Sequence, residues 1–219
     1  MAIPDRKTYL VKLVEELRKQ WPENRTINIV CHGHSVPSGY FATPYVDTFN
    51  SYPHLLHKKL KERFPFAVIN VIVTAIGGEN SISGAKRFSS DVLIHKPDLI
   101  LIDYGLNDRK ADENSVKTSW RTMVRQAKER NIPVILLTPS WDFSVLEKQN
   151  ENGELLRKRA SLIREIASEE EAGLADVYAA FERAVALGIP FESLMSWINH
   201  PSRQGHQLIV DEIVLWFPF

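Results

Sequence analysis

INIVCHGHSVPSGY, residues 27–40, joins a strand pattern to a polar turn, and the rest of the chain is arranged around it. Ile27, Ile29 and Val30 form a short β-branched apolar run, which is typical of a strand buried in a sheet. Ser35 stands just beyond the end of that strand, and open α/β sheets bind their ligands at the carboxyl ends of strands. Ser35 is therefore a candidate nucleophile; the alternative is a polar loop serine or a helix cap.

Composition places the chain among ordinary soluble proteins. Of 219 residues, 44% are apolar and 25% are charged, and 27 Lys and Arg balance 27 Asp and Glu. This balance argues against nucleic acid or an acidic membrane surface as the main partner. Cys31 is the only cysteine, so an internal disulfide and a cysteine-based zinc site are both excluded.

Targeting signals are not evident in the sequence. The first 21 residues have the pattern of an amphipathic helix rather than the apolar core of a signal peptide. No run of about 18 apolar residues occurs, so no membrane span is expected. A cytoplasmic location is the prediction.

Strand and helix patterns alternate along the whole chain, which predicts parallel β-α units in helix–sheet–helix layers. The segment 67–74 is a continuous run rich in β-branched residues, so we expect a strand buried on both faces. No linker or repeat interrupts residues 1–219, which predicts a single α/β domain. Predicted strands cover 27–31, 67–74, 99–104, 134–138 and 174–178, and predicted helices cover 5–20, 52–64, 81–96, 113–130, 154–171, 179–187 and 205–217.

The segment 139–153 is the longest one without periodicity. It is polar, but it carries Trp141 and Phe143. Loops of this length are often lids or binding segments, and otherwise they are simply mobile.

Polar loops at the carboxyl ends of three predicted strands suit a single site. They contain Gly33-His34-Ser35, Gly77-Gly78-Glu79-Asn80 and Gly105-Leu106-Asn107-Asp108, and Asn199-His200-Pro201 follows near the C-terminus. Acyl transfer requires a nucleophilic oxygen, a base that takes its proton, and donors aimed at the developing oxyanion. Ser35, His200, the amides of Ser35 and Gly78, and the Asn107 side chain would supply these groups.

This ordered set of motifs resembles the SGNH hydrolases, also called GDSL esterases and lipases. G-H-S is similar to their first block, I-G-G-E-N-S-I-S-G to the second, G-L-N-D to the third and N-H-P-S-R-Q-G-H to the last. The resemblance implies a flavodoxin-like α/β/α fold with a parallel sheet of about five strands. It also implies Ser35 as the nucleophile, His200 as the base, and Gly78 and Asn107 as oxyanion donors.

Two positions depart from the family pattern. The usual aspartate between glycine and serine is His34 here, which affects loop geometry more than the nucleophile. The usual triad aspartate, three residues before the histidine, is Trp197. We therefore expect a Ser35–His200 dyad in which a main-chain carbonyl, most simply that of Trp197, orients the ring. A carboxylate from Asp142 or Glu147 would be the alternative partner.

Other residues allow further interpretations. The pairs His32/His34 and His54/His57 fit a metal site only weakly, so no metal is predicted. Loop aromatic residues can line an apolar or sugar-stacking cleft, and we place His34, Tyr40 and Trp141 in that cleft. Arg87 and Arg109 could meet an acidic substrate group.

The sequence therefore predicts a serine esterase that forms an acyl-enzyme and needs no cofactor. Its expected substrate is a small ester, with a short acyl group such as acetyl on a carbohydrate. The alternatives are a lipase, lysophospholipase or thioesterase of the same fold, or a catalytically weakened carbohydrate-binding relic. Oligomeric state is not predicted.

Overall fold

A five-stranded parallel sheet forms the centre of the computed structural model, which describes residues 2–218. The strands are β1 (Thr26–Gly33), β2 (Val68–Val73), β3 (Leu99–Asp103), β4 (Val134–Leu137) and β5 (Gly173–Ala175). Their order is β2-β1-β3-β4-β5, which is the flavodoxin-like order. The chain winds first to one side of β1 and then to the other. The topological switch point therefore lies between β1 and β3, where such sheets form their ligand crevice.

Helices cover both faces of the sheet, as the predicted three-layer arrangement requires. On one face α4, α5 and α6 contact one another in sequence, and on the other α9 contacts α3, α7 and α8. The helices are α1 (Val11–Arg18), α2 (Ser35–Ser38), α3 (Tyr52–Arg63), α4 (Ser81–Asp91), α5 (Glu113–Lys128), α6 (Glu151–Glu169), α7 (Val177–Ala186), α8 (Phe191–Leu194) and α9 (Arg203–Val214).

The core lies between the sheet and its two helical layers. Every residue of β3 and β4 is buried, as expected for central strands covered on both faces. Two of the largest buried side chains are Trp120 from α5 and Trp216 after α9. Burial at about 25 cal/mol per Å² of apolar surface makes this packing the main source of stability.

The prediction that 67–74 is buried on both faces is wrong. Residues 68–73 form β2, which is an edge strand paired only with β1 among the described residues, and Val68 is 48% exposed. A run of β-branched residues such as this one is typical of a central strand. An edge strand can have the same run, because the residue pattern does not determine where a strand lies in the sheet.

The aperiodic segment 139–153 is largely ordered against the body of the protein. A 3₁₀ turn covers Phe143–Val145, and the Phe143 amide donates to the Ile198 carbonyl at 3.2 Å. Helix α6 begins at Glu151, three residues earlier than its pattern predicts. Within residues 2–218, no helix is both long and apolar enough to cross a lipid bilayer.

Candidate active site

Ser35 lies at the carboxyl edge of the sheet, directly beyond β1. The strand ends at Gly33, where a Cβ atom would stand 2.3 Å from the Asp103 carbonyl oxygen, so the close approach of β1 to β3 requires glycine. The His34 ring then accepts a hydrogen bond from the Val36 amide at 3.2 Å and caps the short helix α2. Ser35 is the first residue of that helix and is 8% exposed.

His200 reaches Ser35 from a tight turn 165 residues further along the chain. Met195 and Pro201 pair across this turn, and the Ser196 amide donates to the His200 carbonyl at 2.9 Å. The Ser196 hydroxyl donates to the same carbonyl at 3.1 Å. These bonds fix the backbone of His200 so that its Nε2 lies 2.8 Å from Ser35 Oγ, which is hydrogen-bond distance for proton transfer.

The other ring nitrogen of His200 lacks the partner that the sequence predicts. Nδ1 is buried and has no hydrogen-bond partner among residues 2–218, so the expected bond to the Trp197 carbonyl is not formed. Burial, with a smaller effect from His34, lowers the pKa of His200 to about 4. The carbonyl of Phe41 acts in the opposite direction on this pKa without reaching hydrogen-bond geometry.

The two acids proposed as replacement partners are engaged elsewhere. Asp142 is buried and accepts from Arg109 Nη1 at 2.5 Å and from the Ser144 amide at 3.0 Å. Glu147 accepts from Asn150 at 2.5 Å. His200 therefore has no carboxylate partner from segment 139–153. The ion pair with Asp142 also engages Arg109, which was considered above as a contact for an acidic substrate group.

Candidate oxyanion donors come from the loops after β2 and β3. Gly78 has φ +79°, a conformation that favours glycine, and its amide has no backbone acceptor within the described part of the chain. Asn107 Nδ2 donates one hydrogen to the Glu79 carbonyl at 2.9 Å. An amide nitrogen carries two hydrogens, and no acceptor for the second one is found among residues 2–218. Asn107 and the Gly78 turn are thereby tied together beside the switch point.

A partly buried polar network next to the Gly78 turn was not predicted from the sequence. Glu79 accepts from Arg87 Nε at 2.8 Å and from the Tyr104 hydroxyl at 2.8 Å. The Tyr104 hydroxyl also lies 3.1 Å from His32 Nε2. Arg87 therefore positions Glu79. This ion pair engages the Arg87 guanidinium, which was considered above as a contact for an acidic substrate group. No sequence pattern links these residues, because they come from four separate elements.

The residues assigned to the cleft occupy different positions. The Tyr40 ring stacks near the His200 ring, with centroids 6.2 Å apart, and a Cβ atom at Gly77 would lie 3.0 Å from the Tyr40 ring. His34 is buried beside Ser35. Trp141 is buried and packs against Tyr178 and Phe191. Of the three, Tyr40 is half-buried, whereas His34 and Trp141 are buried.

The remaining acids of the site loops brace the structure. Asp108 accepts from the Ser81 amide at 2.8 Å and from Trp120 Nε1 at 2.7 Å, which joins the loop after β3 to α4 and α5. Burial raises the pKa of Asp108. Asp103 Oδ1 lies 3.4 Å from His34 Nε2. Among the described residues, no group of three or more His, Cys, Asp or Glu side chains could hold a metal ion.

The sequence profile of the GDSL-like lipase/acylhydrolase family matches residues 31–208. This match runs from the last three residues of β1 to the middle of α9 and contains all four site loops. The chain belongs to this family. It is an SGNH-type ester hydrolase, as the four motif blocks predict.

Individual relatives of this acylhydrolase include an acetylxylan esterase from Geobacillus stearothermophilus, which is 25% identical over 163 residues, covering 68% of this chain and 73% of the relative. Crystal structures of an acetylxylan esterase from that organism superpose with a TM-score of 0.75 at 22% identity, over 88% of this chain and 94% of theirs. An alpha/beta hydrolase enzyme from the Lake Arreo metagenome has a TM-score of 0.75 at 21% identity, over 87% and 94% of the two chains.

Three of the solved structures are catalytic mutants of that acetylxylan esterase, in which a serine, a histidine or an aspartate is replaced by alanine. In the esterase from Geobacillus the aspartate stands three positions before the histidine. In the acylhydrolase described here, the position three residues before His200 is Trp197.

Proposed function

We propose that this chain is a serine esterase that removes short acyl groups, such as acetyl, from carbohydrate through a Ser35–His200 dyad. The observation that supports this most strongly is the 2.8 Å contact between Ser35 Oγ and His200 Nε2 at the switch point of the sheet. Ser35 attacks the ester carbonyl while His200 Nε2 accepts its proton. The proton then passes to the leaving alkoxide, and the alcohol departs.

Deacylation repeats the same steps with water. His200 takes a proton from a water molecule, which attacks the acyl-enzyme and releases the acid and Ser35. In both steps the oxyanion would lie among the amides of Ser35 and Gly78 and the Asn107 side chain. Asn107 is tied to the Gly78 turn through Glu79, so these donors are fixed before the substrate binds.

A carbohydrate leaving group is supported by aromatic side chains near the dyad. Tyr40 stacks beside His200, and Trp197, three residues from it, is 55% exposed. Exposed aromatic rings offer flat apolar faces on which sugar rings stack. The acetylxylan esterase among the relatives acts on such a substrate by name. The sugar and the short acyl group are both part of the proposal.

Ester turnover separates this function from the alternatives. The wild-type chain should release p-nitrophenol from p-nitrophenyl acetate, and Ser35→Ala should reduce this release to the background rate. A panel of acetyl, butyryl and octanoyl esters, together with acetylated xylooligosaccharides, then tests the acyl group and the sugar. Retained turnover in Ser35→Ala would move the nucleophile elsewhere, and preference for octanoyl would indicate a lipase.

A binding relic is the second candidate, and the unpartnered Nδ1 of His200 is the observation in its favour. A dyad without a carboxylate keeps only part of the rate advantage of a triad. Binding of xylooligosaccharides by the wild type without release of acetate would support this second function.

A further inference from the structure

The Ser35 hydroxyl is within reach of two imidazole rings. Its Oγ is 2.8 Å from His200 Nε2 and 3.4 Å from His34 Nδ1. Both rings are buried, with 5% of His200 and 1% of His34 exposed. Either ring nitrogen is therefore within reach of the single proton on the Ser35 hydroxyl.

Hydrogen bonds set the tautomer of His34. The Val36 amide donates to Nδ1 at 3.2 Å, so Nδ1 is unprotonated and the ring proton is on Nε2. Nε2 faces Asp103 Oδ1 at 3.4 Å. The free electron pair of His34 thus points toward Ser35 and the Val36 amide, and its proton points toward a carboxylate.

Asp103 holds His34 from two directions. It is the last residue of β3 and is 4% exposed, and its carbonyl accepts from the His34 amide at 3.2 Å. Its side chain faces the ring of the same histidine. By contrast, Nδ1 of His200 has no partner within residues 2–218. The carboxylate of this site therefore stands behind His34 and not behind His200.

We propose that His34, paired with Asp103, is a second general base for Ser35, so that the serine has two routes for its proton. The proposal rests on Ser35 as the nucleophile of the proposed esterase. As the bond from Oγ to the acyl carbon forms, the Oγ–H bond breaks and the proton moves to His34 Nδ1. The Nε2–H of the resulting imidazolium faces Asp103, which offsets the positive charge. The proton then leaves with the alkoxide as the alcohol.

This route is slower than the one through His200 in the wild type. The distance to Ser35 Oγ is longer by 0.6 Å, and Nδ1 must give up the Val36 amide before it accepts a proton. The route through His34 carries most of the remaining turnover when His200 is substituted. Comparison of kcat/KM between the single variants and the double variant can therefore reveal it.

A double-mutant cycle separates a base from a simple helix cap. His34→Asn keeps a side-chain oxygen that accepts from the Val36 amide, but it removes the basic nitrogen. The full-length chain and the variants His34→Asn, His200→Ala and the double variant are assayed with p-nitrophenyl acetate. We expect His34→Asn to reduce kcat/KM by less than tenfold in the wild type and by more than tenfold in the His200→Ala background.

A cap alone would cost the same factor in both backgrounds, and equal factors would overturn the proposal. So would a His200→Ala variant that is no more active than Ser35→Ala. Asp103→Asn in the His200→Ala background gives a second measurement, and it should also lower the residual rate, because the imidazolium loses its countercharge. Full activity in Ser35→Ala would instead contradict the proposed nucleophile, so the two failures can be told apart.

Discussion

At the residue scale, the unpartnered Nδ1 of His200 is the feature that sets this site apart from a full triad. A carboxylate at Nδ1 would hold the tautomer and offset the charge of the imidazolium that forms when Ser35 loses its proton. Here burial, with a smaller effect from His34, lowers the pKa of His200 to about 4. A base with a low pKa takes up a proton less readily, so chemistry at Ser35 should be slow for this family.

A carboxylate partner for His200 can be restored at the position three residues before it. Trp197→Asp should place a carboxylate beside the ring, raise the pKa of His200 and increase kcat by about tenfold or more. Trp197→Asn is the matched control, since it has nearly the same shape without the charge. Equal kcat values for the two variants would show that the carboxylate cannot reach Nδ1.

The pH profile reports the same property in the unchanged protein. Neutral His200 is the proposed base, so kcat/KM should stay level down to about pH 4 and fall only as the ring becomes protonated below that pH. Trp197→Asp should move this acidic limb to higher pH. An acidic limb near the ordinary histidine value of about 6.5 in the wild type would contradict the buried, unpartnered ring.

At the scale of elements, the loop after β3 divides two functions between neighbouring side chains. Asn107 joins the Gly78 turn and keeps a free amide hydrogen, whereas Asp108 joins α4 and α5 through Ser81 and Trp120. Substitution of Asn107 should therefore affect activity, and substitution of Asp108 should affect stability.

Asn107→Ala should lower kcat by about 10²–10³ because one oxyanion donor is lost. Its thermal unfolding should change little in comparison. Steady-state kinetics and a melting curve on the same preparation check both statements. A kcat within a factor of three of the wild type would remove Asn107 from the oxyanion site.

Asp108→Ala should cost about 2–4 kcal/mol of unfolding free energy, because the Ser81 amide and Trp120 Nε1 lose their acceptor in a buried position. Asp108→Asn keeps one acceptor oxygen and should cost less. Urea denaturation measures both variants. A loss below about 0.5 kcal/mol for the alanine variant would contradict the bracing role.

At the scale of the whole molecule, hydrophobic periodicity was enough to predict strands and helices that alternate in three layers, and the family resemblance implied the flavodoxin-like sheet. Five apolar runs gave the five strands, and polar loops behind them located the site. The position of β2 could not be predicted, because Val68 and Val73 lie in a run that would suit a central strand equally well. The contacts of Glu79 with Tyr104 and of His34 with Asp103 could not be predicted either, because they depend on how separate loops pack together.

Buried histidines make the folded state sensitive to acid. Burial lowers the pKa of His32 to about 4 and that of His206 to about 3. An unfolded histidine binds its proton below about pH 6.5. Their contribution to stability is therefore complete above that pH and is lost as the pH falls toward 4 and 3, at about 1.4 kcal/mol per pKa unit.

His206→Asn tests this coupling. The asparagine oxygen can replace Nδ1 of His206 as the acceptor of the Tyr52 amide, and the titrating ring is removed. Unfolding free energy measured from pH 7 to pH 4 should fall less steeply in this variant. His54→Asn, at an exposed position of α3, is the matched control and should keep the wild-type slope. Equal slopes for His206→Asn and the wild type would show that His206 does not contribute.

Covalent trapping shows directly whether Ser35 is the nucleophile. Treatment of the full-length chain with an alkyl fluorophosphonate, followed by peptide mass mapping, should show one adduct on Ser35. The adduct should form more slowly in His200→Ala and be absent in Ser35→Ala. An adduct on another residue, or an active enzyme that remains unlabelled and uninhibited, would show that Ser35 is not the nucleophile.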